Sequence, residues 1–304
     1  MTLDQQLRLI RVAATLGAHT LRLTGGEPLL SQRLLPLLEA VSRGRSTPGD
    51  PLRGLRQIAL TTNGVLLTPN RARLLRAAGL NRITISLDAV DGSVAARMAG
   101  LRGGQAAGER LVRQVIDGVM SAKLAGFVAE QGEIKLNAVI KKGENDTELL
   151  PLAALARRYG LELRLIEYMD VGNRNGWVPD QVLPAAEMVR LIQARWPLQP
   201  LGRDSGATAN RWRFTDDRGG LGVIASISEP FCGDCNRLRI TADGQAFTCL
   251  FASEGVDLKP VLDNTAALQQ RIAGLWLDRS DRYSEERHHH LPRSSHAEMA
   301  YLGG

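Results

Sequence analysis

His19-Thr20-Leu21-Arg22-Leu23-Thr24-Gly25-Gly26-Glu27-Pro28 reads as a short strand running into a polar turn built on paired glycines. The same unit recurs along the first half of the chain. Strands are predicted over 57–62, 82–87, 134–140 and 161–168, from short β-branched and apolar runs bounded by turn residues. The second ends in Thr61-Thr62-Asn63-Gly64 and the third in Ser86-Leu87-Asp88. The fourth carries Lys135 and Asn137, and the fifth Arg164 and Glu167 with Met169 just after. Helical periods are predicted at 31–41, 69–78, 109–125 and 147–159, with Gly79 and Gly160 as stops and a loop over 42–54. Five strands alternating with helices imply parallel pairing through right-handed crossovers. The fold class is therefore α/β, with a partial β/α barrel as the leading architecture and an open doubly wound sheet as the alternative.

Before this series lies a helix over 2–16, with Thr2 and Gln5 placed for a capping box and Leu7, Ile10, Val12, Ala13 and Leu16 as its apolar stripe. It has no strand ahead of it. Either one β/α unit has lost its strand, which would leave a parallel-strand edge unpaired, or the helix is an N-terminal decoration. After Val171 the texture changes to Gly-rich linkers and short strands, so the expected division is a β/α region over 1–170 and a smaller mixed region over 171–304. Within the latter, strands are predicted at 211–214, 222–227, 236–240 and 245–250, and helices near 184–194 and at 263–277. The tail from Asp278 is charged, and its His288-His289-His290 run reads as solvated rather than metal-binding.

A length of 304 residues allows two domains or one large one, and 44% hydrophobic with 23% charged residues excludes a wholly disordered chain. No apolar run approaches the ~18 residues of a membrane span, and the first residues lack the pattern of a secretory signal, so the cytoplasm is expected. Arginine accounts for 33 of the 38 basic residues behind the net charge of +6. With no Lys/Arg run and 4% aromatics, a single-stranded nucleic-acid platform is not supported.

In a β/α barrel the chemistry sits at the C-terminal strand ends, where these polar clusters fall. Gly25-Gly26 allows close approach to the backbone but is neither a dinucleotide fingerprint nor a phosphate loop. The three cysteines, Cys232, Cys235 and Cys249, have the spacing C-x2-C-x13-C. An odd cysteine count in one short segment argues for metal rather than disulfides. Three thiolates suit an iron–sulfur cube with one iron lacking a protein ligand; zinc completed by Asp234 or a tail histidine is the alternative. Arg237 and Arg239 follow on one side of a predicted strand and make an anion pocket beside that centre.

Together, Thr24 to Pro28, Thr61 to Gly64, Ser86 to Asp88, the cysteine set with Asn236-Arg237-Leu238-Arg239, and the terminal Gly303-Gly304 resemble the GTP 3′,8-cyclase family, over essentially the whole chain. These are the radical S-adenosylmethionine enzymes that open molybdenum-cofactor biosynthesis. The resemblance implies that Arg22, Thr61, Lys135, Arg237, Leu238 and Arg239 bind GTP, and that Gly26, Ser86 and Met169 bind S-adenosylmethionine. It implies that Cys232, Cys235 and Cys249 hold a 4Fe-4S cluster whose open iron meets the guanine. Gly303 and Gly304 would thread back as catalytic residues. It also implies a reaction in which a 5′-deoxyadenosyl radical takes hydrogen from the ribose 3′ carbon and the sugar radical attacks guanine C8. The product would pass to cyclic pyranopterin monophosphate synthase. The family's N-terminal C-x3-C-x2-C loop, which holds a second 4Fe-4S cluster, has no counterpart before Cys232. The chain is accordingly expected to be an N-terminally truncated cyclase without radical activity of its own. The reductant, and the choice between monomer and homodimer, stay open.

Overall fold

The computed structural model describes residues 1–172, 176–287 and 297–303. In chain order the first half forms α1 (Leu3–Thr15), β1 (Thr20–Leu23), α2 (Leu34–Ser46), β2 (Gln57–Thr62), α3 (Pro69–Ala77), β3 (Arg82–Ser86), α4 (Gly92–Met98), α5 (Gly104–Leu124), β4 (Ile134–Ile140), α6 (Leu149–Tyr159) and β5 (Glu162–Glu167). There follow α7 (Ala185–Gln193), β6 (Leu198–Gly202), β7 (Asn210–Phe214), β8 (Gly220–Ile224), β9 (Arg239–Ile240), β10 (Gln245–Phe247), β11 (Val256–Asp257) and α8 (Thr265–Leu277). Eight strands form one sheet in the order β1-β2-β3-β4-β5-β8-β7-β6. β1 to β5 pair in parallel in chain order and β8 joins β5 in parallel. β7 and β6 continue the sheet antiparallel. The strands β11, β10 and β9 make a separate three-stranded sheet.

Helices cover one face of the large sheet. Ile58, Leu60, Ile83, Ile85, Ile134, Leu136, Leu163 and Leu165 alternate along the strands into a core shared with Leu38, Val41, Leu75, Val115, Leu152 and Ala156 from the helices. The other face is polar. This is a partial β/α barrel with an open side, and the doubly wound alternative is excluded because its second helical layer is absent among the described residues. A second core joins α1 to the C-terminal region. Leu9 and Val12 pack with Ala246, Leu258, Leu262, Leu268 and Ile272.

Several local expectations need correction. The capping box at Thr2 and Gln5 forms, but α1 buries Leu9, Ile10 and Val12, and Leu16 stands exposed. The two-sided burial, against α2 and against α8, broadens the stripe that a single-sided helix would show. α2 runs on to Ser46, through what composition marked as loop. Gly44 is there because a Cβ would lie 2.5 Å from Leu52 Cδ1, so the helix turns a bare backbone to the following turn. α4 was not foreseen; Asp91 caps it by accepting from Ser93 and Val94 N–H. The strand expected over 236–240 is only Arg239–Ile240, and β6 and β11 are additional.

Candidate active site

Because Ile83 and Ile85 face the helices, Arg82, Thr84 and Ser86 of β3 face the interior. The same alternation turns Lys135 and Asn137 of β4, and Glu162 and Arg164 of β5, inward. The parallel register stacks these side chains in rungs. Arg22 and Arg82 flank Ala59. Above them Thr61, Thr84, Lys135 and Glu162 form one row, and Ser86, Asn137 and Arg164 the next.

The charges on this wall are unequal. Glu162 accepts from Lys135 Nζ at 2.8 Å and from Arg164 Nε at 2.7 Å, and Arg211 stands 3.6 Å away. Burial alone would raise its carboxyl, but Arg164 and Lys135 outweigh it and bring the pKa down to about 2. Lys135 is lowered to about 8, first by desolvation and then by Arg164, with Glu162 opposing. Arg22 is exposed on β1, yet protein surrounds it closely on the side of the sheet. Loss of bulk water around it and the charges of Arg82, Arg164, Arg239 and Arg237 pull it down to about 10. Arg239 is held at about 10 by desolvation and Arg237. Thus Arg22 on β1, Arg164 on β5 and the Arg237/Arg239 pair from the C-terminal region share one interior.

Many polar atoms there have no partner. Nη1 of Arg237 and of Arg239, Nε of Arg82, Oγ1 of Thr61 and of Thr84, and Oδ1 of Asn137 are buried without a hydrogen bond. Buried polar groups are normally paired, so a cluster of orphans on one wall of the sheet and the segment beside it marks a place for a polar ligand. Their chemistry, several guanidiniums with an ammonium, selects a polyanion.

Cys232, Cys235 and Cys249 are free, half-buried thiols at the edge of this interior. Cys232 starts a single 3-10 turn that returns Cys235 beside it, with Cys235 N–H donating to the Cys232 carbonyl at 3.1 Å. Cys249 follows β10 and accepts from Phe251 N–H at 3.4 Å. Desolvation would raise Cys235, but Arg237 and Arg279 bring it below the usual thiol range, and Arg279 also donates to its carbonyl. Among the described residues no three His, Cys, Asp or Glu side chains gather tightly enough for one metal ion. Asp234, offered as a zinc ligand, instead accepts from Arg203 and from Ser205 and Gly206, which turns it away from the thiols. The charge of Cys232 bears on Cys249, and those of Cys235 and Cys249 bear on Arg239, so the three thiols share one neighbourhood, and three thiolates are the donor chemistry of an iron–sulfur cluster.

At the C-terminal strand ends, Gly26 and Met169 follow β1 and β5, and Ser86 ends β3. A Cβ at Gly25 or Gly26 would meet nothing within 4 Å, so the turn leaves an open cradle. Glu27 fixes that turn, accepting from Leu29 N–H, Thr62 Oγ1 and Asn63 N–H at 2.7–2.9 Å. Gly303 reaches the same turn. With φ +71°, its Cβ position lies 2.4 Å from Thr24 Cγ2 and 3.4 Å from Gly25 N. Gly304 and His288 to His290 lie outside the described residues.

Not every expected residue joins the site. Leu238 packs on the second core, beside Met1 and Ile240. Glu167, on the expected rim, is fully buried and accepts from Ala185, Ile227 and Ser228 N–H at 2.7–2.9 Å, a structural role. Arg82 and Glu162 were overlooked. Their signal was a charge at an alternating position in a strand that is otherwise apolar.

Residues 1–156 match the Radical SAM superfamily, and residues 161–285 match Molybdenum Cofactor Synthesis C. The whole chain is 68% identical to 88% of the GTP 3',8-cyclase of Synechococcus sp. (strain WH7803). It is 42% identical to 86% of the GTP 3',8-cyclase of Xanthomonas axonopodis pv. citri (strain 306). Among solved structures, Streptococcus suis SuiB bound to S-adenosylmethionine superposes with a TM-score of 0.60 at 15% identity, over 100% of this chain and 65% of that one, a likeness of fold.

Proposed function

This chain belongs to the GTP 3′,8-cyclase family of radical S-adenosylmethionine enzymes, which carry 4Fe-4S clusters, and from that premise we propose that it acts on GTP in the first step of molybdenum-cofactor biosynthesis. The reaction is the cyclisation of GTP to (8S)-3′,8-cyclo-7,8-dihydroguanosine 5′-triphosphate. Its compartment is the cytoplasm, and its product is consumed by cyclic pyranopterin monophosphate synthase. Among the described residues no helix is long and apolar enough to cross a membrane.

One observation carries the reading. A cationic interior with orphaned guanidinium and hydroxyl groups opens onto three free thiols on one side and onto a glycine cradle on the other. Arg22, Thr61 and Lys135 hold the phosphates of GTP on the strand wall, where low dielectric strengthens each contact. Arg237 and Arg239 reach the nucleotide from the thiol side, with Leu238 anchoring their segment in the second core. Gly26, Ser86 and Met169 hold S-adenosylmethionine at the rim, above the ribose. Cys232, Cys235 and Cys249 hold the one cluster whose ligands this sequence contains; bound there, it supplies an open iron for the guanine. S-adenosylmethionine, held there, would supply the hydrogen-abstracting 5′-deoxyadenosyl radical on accepting one electron from a separate low-potential reductant, releasing methionine. Gly303 brings the chain end over the Thr24-Gly25 turn, where it excludes water from the mouth and restricts the ribose. Beyond Cys232, Cys235 and Cys249 this sequence has no thiol that could hold a second cluster.

Anaerobic reconstitution with iron and sulfide, followed by GTP titration, tests this. Brown protein with acid-labile sulfide that binds GTP is expected. Arg237→Ala and Arg239→Ala should each weaken GTP, because a charge-assisted contact contributes about 1.5–3 kcal/mol. Pale protein holding a single zinc, or unchanged GTP affinity in both variants, would reject the reading.

A further inference from the structure

Six cations face the barrel interior or its C-terminal wall: Arg22, Arg82, Lys135, Arg164, Arg237 and Arg239. Among the groups whose charges bear on Lys135, the one carboxylate is Glu162, and it is occupied by Lys135 and Arg164. The Arg82 side chain has no hydrogen bond or ion pair to the described residues, and its Nε is buried without an acceptor. Desolvation first, and repulsion from Arg164 second, pull it down to about 10 while Glu162 opposes. A guanidinium held like this costs stability, which the charge of Glu162 offsets only in part.

Its place in the register gives the reason. Arg82 opens β3, shares a rung with Arg22 across Ala59, and lies one step below Thr61, Thr84 and Lys135. Ser86, at the rim, is four residues further along the same strand, or roughly 13 Å at strand rise. A nucleotide whose ribose sat under the rim would have this length of wall for its phosphate chain, which would end at the floor. The floor is where Arg82 waits with a free donor edge.

Resting on the functional reading above, we propose that Arg82 is a substrate-binding residue for the distal phosphates of the nucleoside triphosphate, and that it selects the triphosphate over shorter forms. Arg82 and Arg22 would grip the end of the chain from β3 and β1, on either side of β2, while Glu162 gathers Lys135 and Arg164 on one carboxylate oxygen beside the middle of the chain.

The test compares GTP, GDP, GMP and guanosine binding to the anaerobically reconstituted full chain and its Arg82→Gln and Arg82→Lys variants, with thermal midpoints as a fold control. Arg82→Gln is expected to weaken GTP about 10- to 100-fold, the range of a lost charge-assisted contact, and to leave GMP and guanosine within about threefold. Arg82→Lys, which keeps the charge but loses the fork, should recover part of the GTP loss and likewise leave GMP and guanosine within about threefold. It also serves if Arg82→Gln fails to fold. Equal weakening across all four ligands would show a structural role and overturn the proposal, as would unaltered GTP affinity in the variants. If the unaltered protein binds no GTP, the functional reading itself falls and takes this proposal with it; binding that is normal in the parent and insensitive to Arg82 rejects the proposal alone.

Discussion

Lys135 shows how a single side chain can be tuned by what surrounds it. Its strand position was legible, since a lysine in an otherwise apolar run needs a partner, but the partner was not. Glu162 is 27 residues away and meets it only through the β4–β5 register. With a pKa of about 8 in the free protein, Lys135 begins to lose its proton just above neutral pH. A bound polyanion favours the charged form, so GTP affinity is expected to fall as pH rises from about 7 to 9. Arg22, Arg82 and Arg239, at about 10, still hold their protons there. Lys135→Arg should flatten the profile, and an identical slope in parent and variant would refute the assignment. The pair also shapes stability. Glu162 has a depressed pKa, so its contribution is present above about 4.5 and lost as pH falls toward about 2. Lys135 is depressed from 10.5, so its burial costs stability below about 8, and that cost is relieved as pH rises toward 10.5. Glu162→Gln should therefore abolish the acid-side loss from this site in denaturation measured between about pH 5 and 2.

At the scale of elements, glycine is informative where helices touch. α4 and α5 cross so closely that a Cβ at Gly108 would lie 1.7 Å from the Gly92 carbonyl oxygen. Alanine there gains about 1 kcal/mol of helix propensity, but a clash with backbone cannot be relieved by a rotamer change, so the clash wins. Gly108→Ala is expected to destabilise by about 1–3 kcal/mol in urea unfolding. Gly274 in α8 meets nothing within 4 Å, so Gly274→Ala should stabilise by about 0.5–1 kcal/mol. Opposite signs from the same substitution are the content of this prediction. Strands 57–62 and 134–140 were readable end to end because β-branched and apolar residues fill them. α4 was hidden because its seven residues, most of them small, carry little periodicity, and the end of α2 because Gly44 reads as a breaker when only the packing of Leu52 explains it.

Across the whole molecule, the second core couples the opening helix to the thiol-bearing region. Leu258 and Leu268 are fully buried there, against Leu9 and Val12. Leu268→Ala should cost about 2–5 kcal/mol and also weaken GTP, because Leu238 seats the Arg237/Arg239 segment on the same core. Destabilisation with unchanged GTP affinity would show that the two regions act independently. The eight-stranded sheet has a comparable consequence. β8 joins β5 in parallel, so residues beyond Val171 complete the wall that β1 to β5 begin.

The sequence by itself determined the alternation of strands and helices, the glycine turn at Thr24 to Pro28, and the thiol spacing, because each is written in neighbouring residues and in periods of two or 3.6. Tertiary structure alone decided which charges share an interior. Arg22, Arg82, Glu162, Arg164 and Arg239 are spread over more than 200 positions, and only strand register and the folding back of the C-terminal region bring them within each other's fields. A side chain's electrostatic surroundings depend on distance in space, which the order of residues along a chain does not encode.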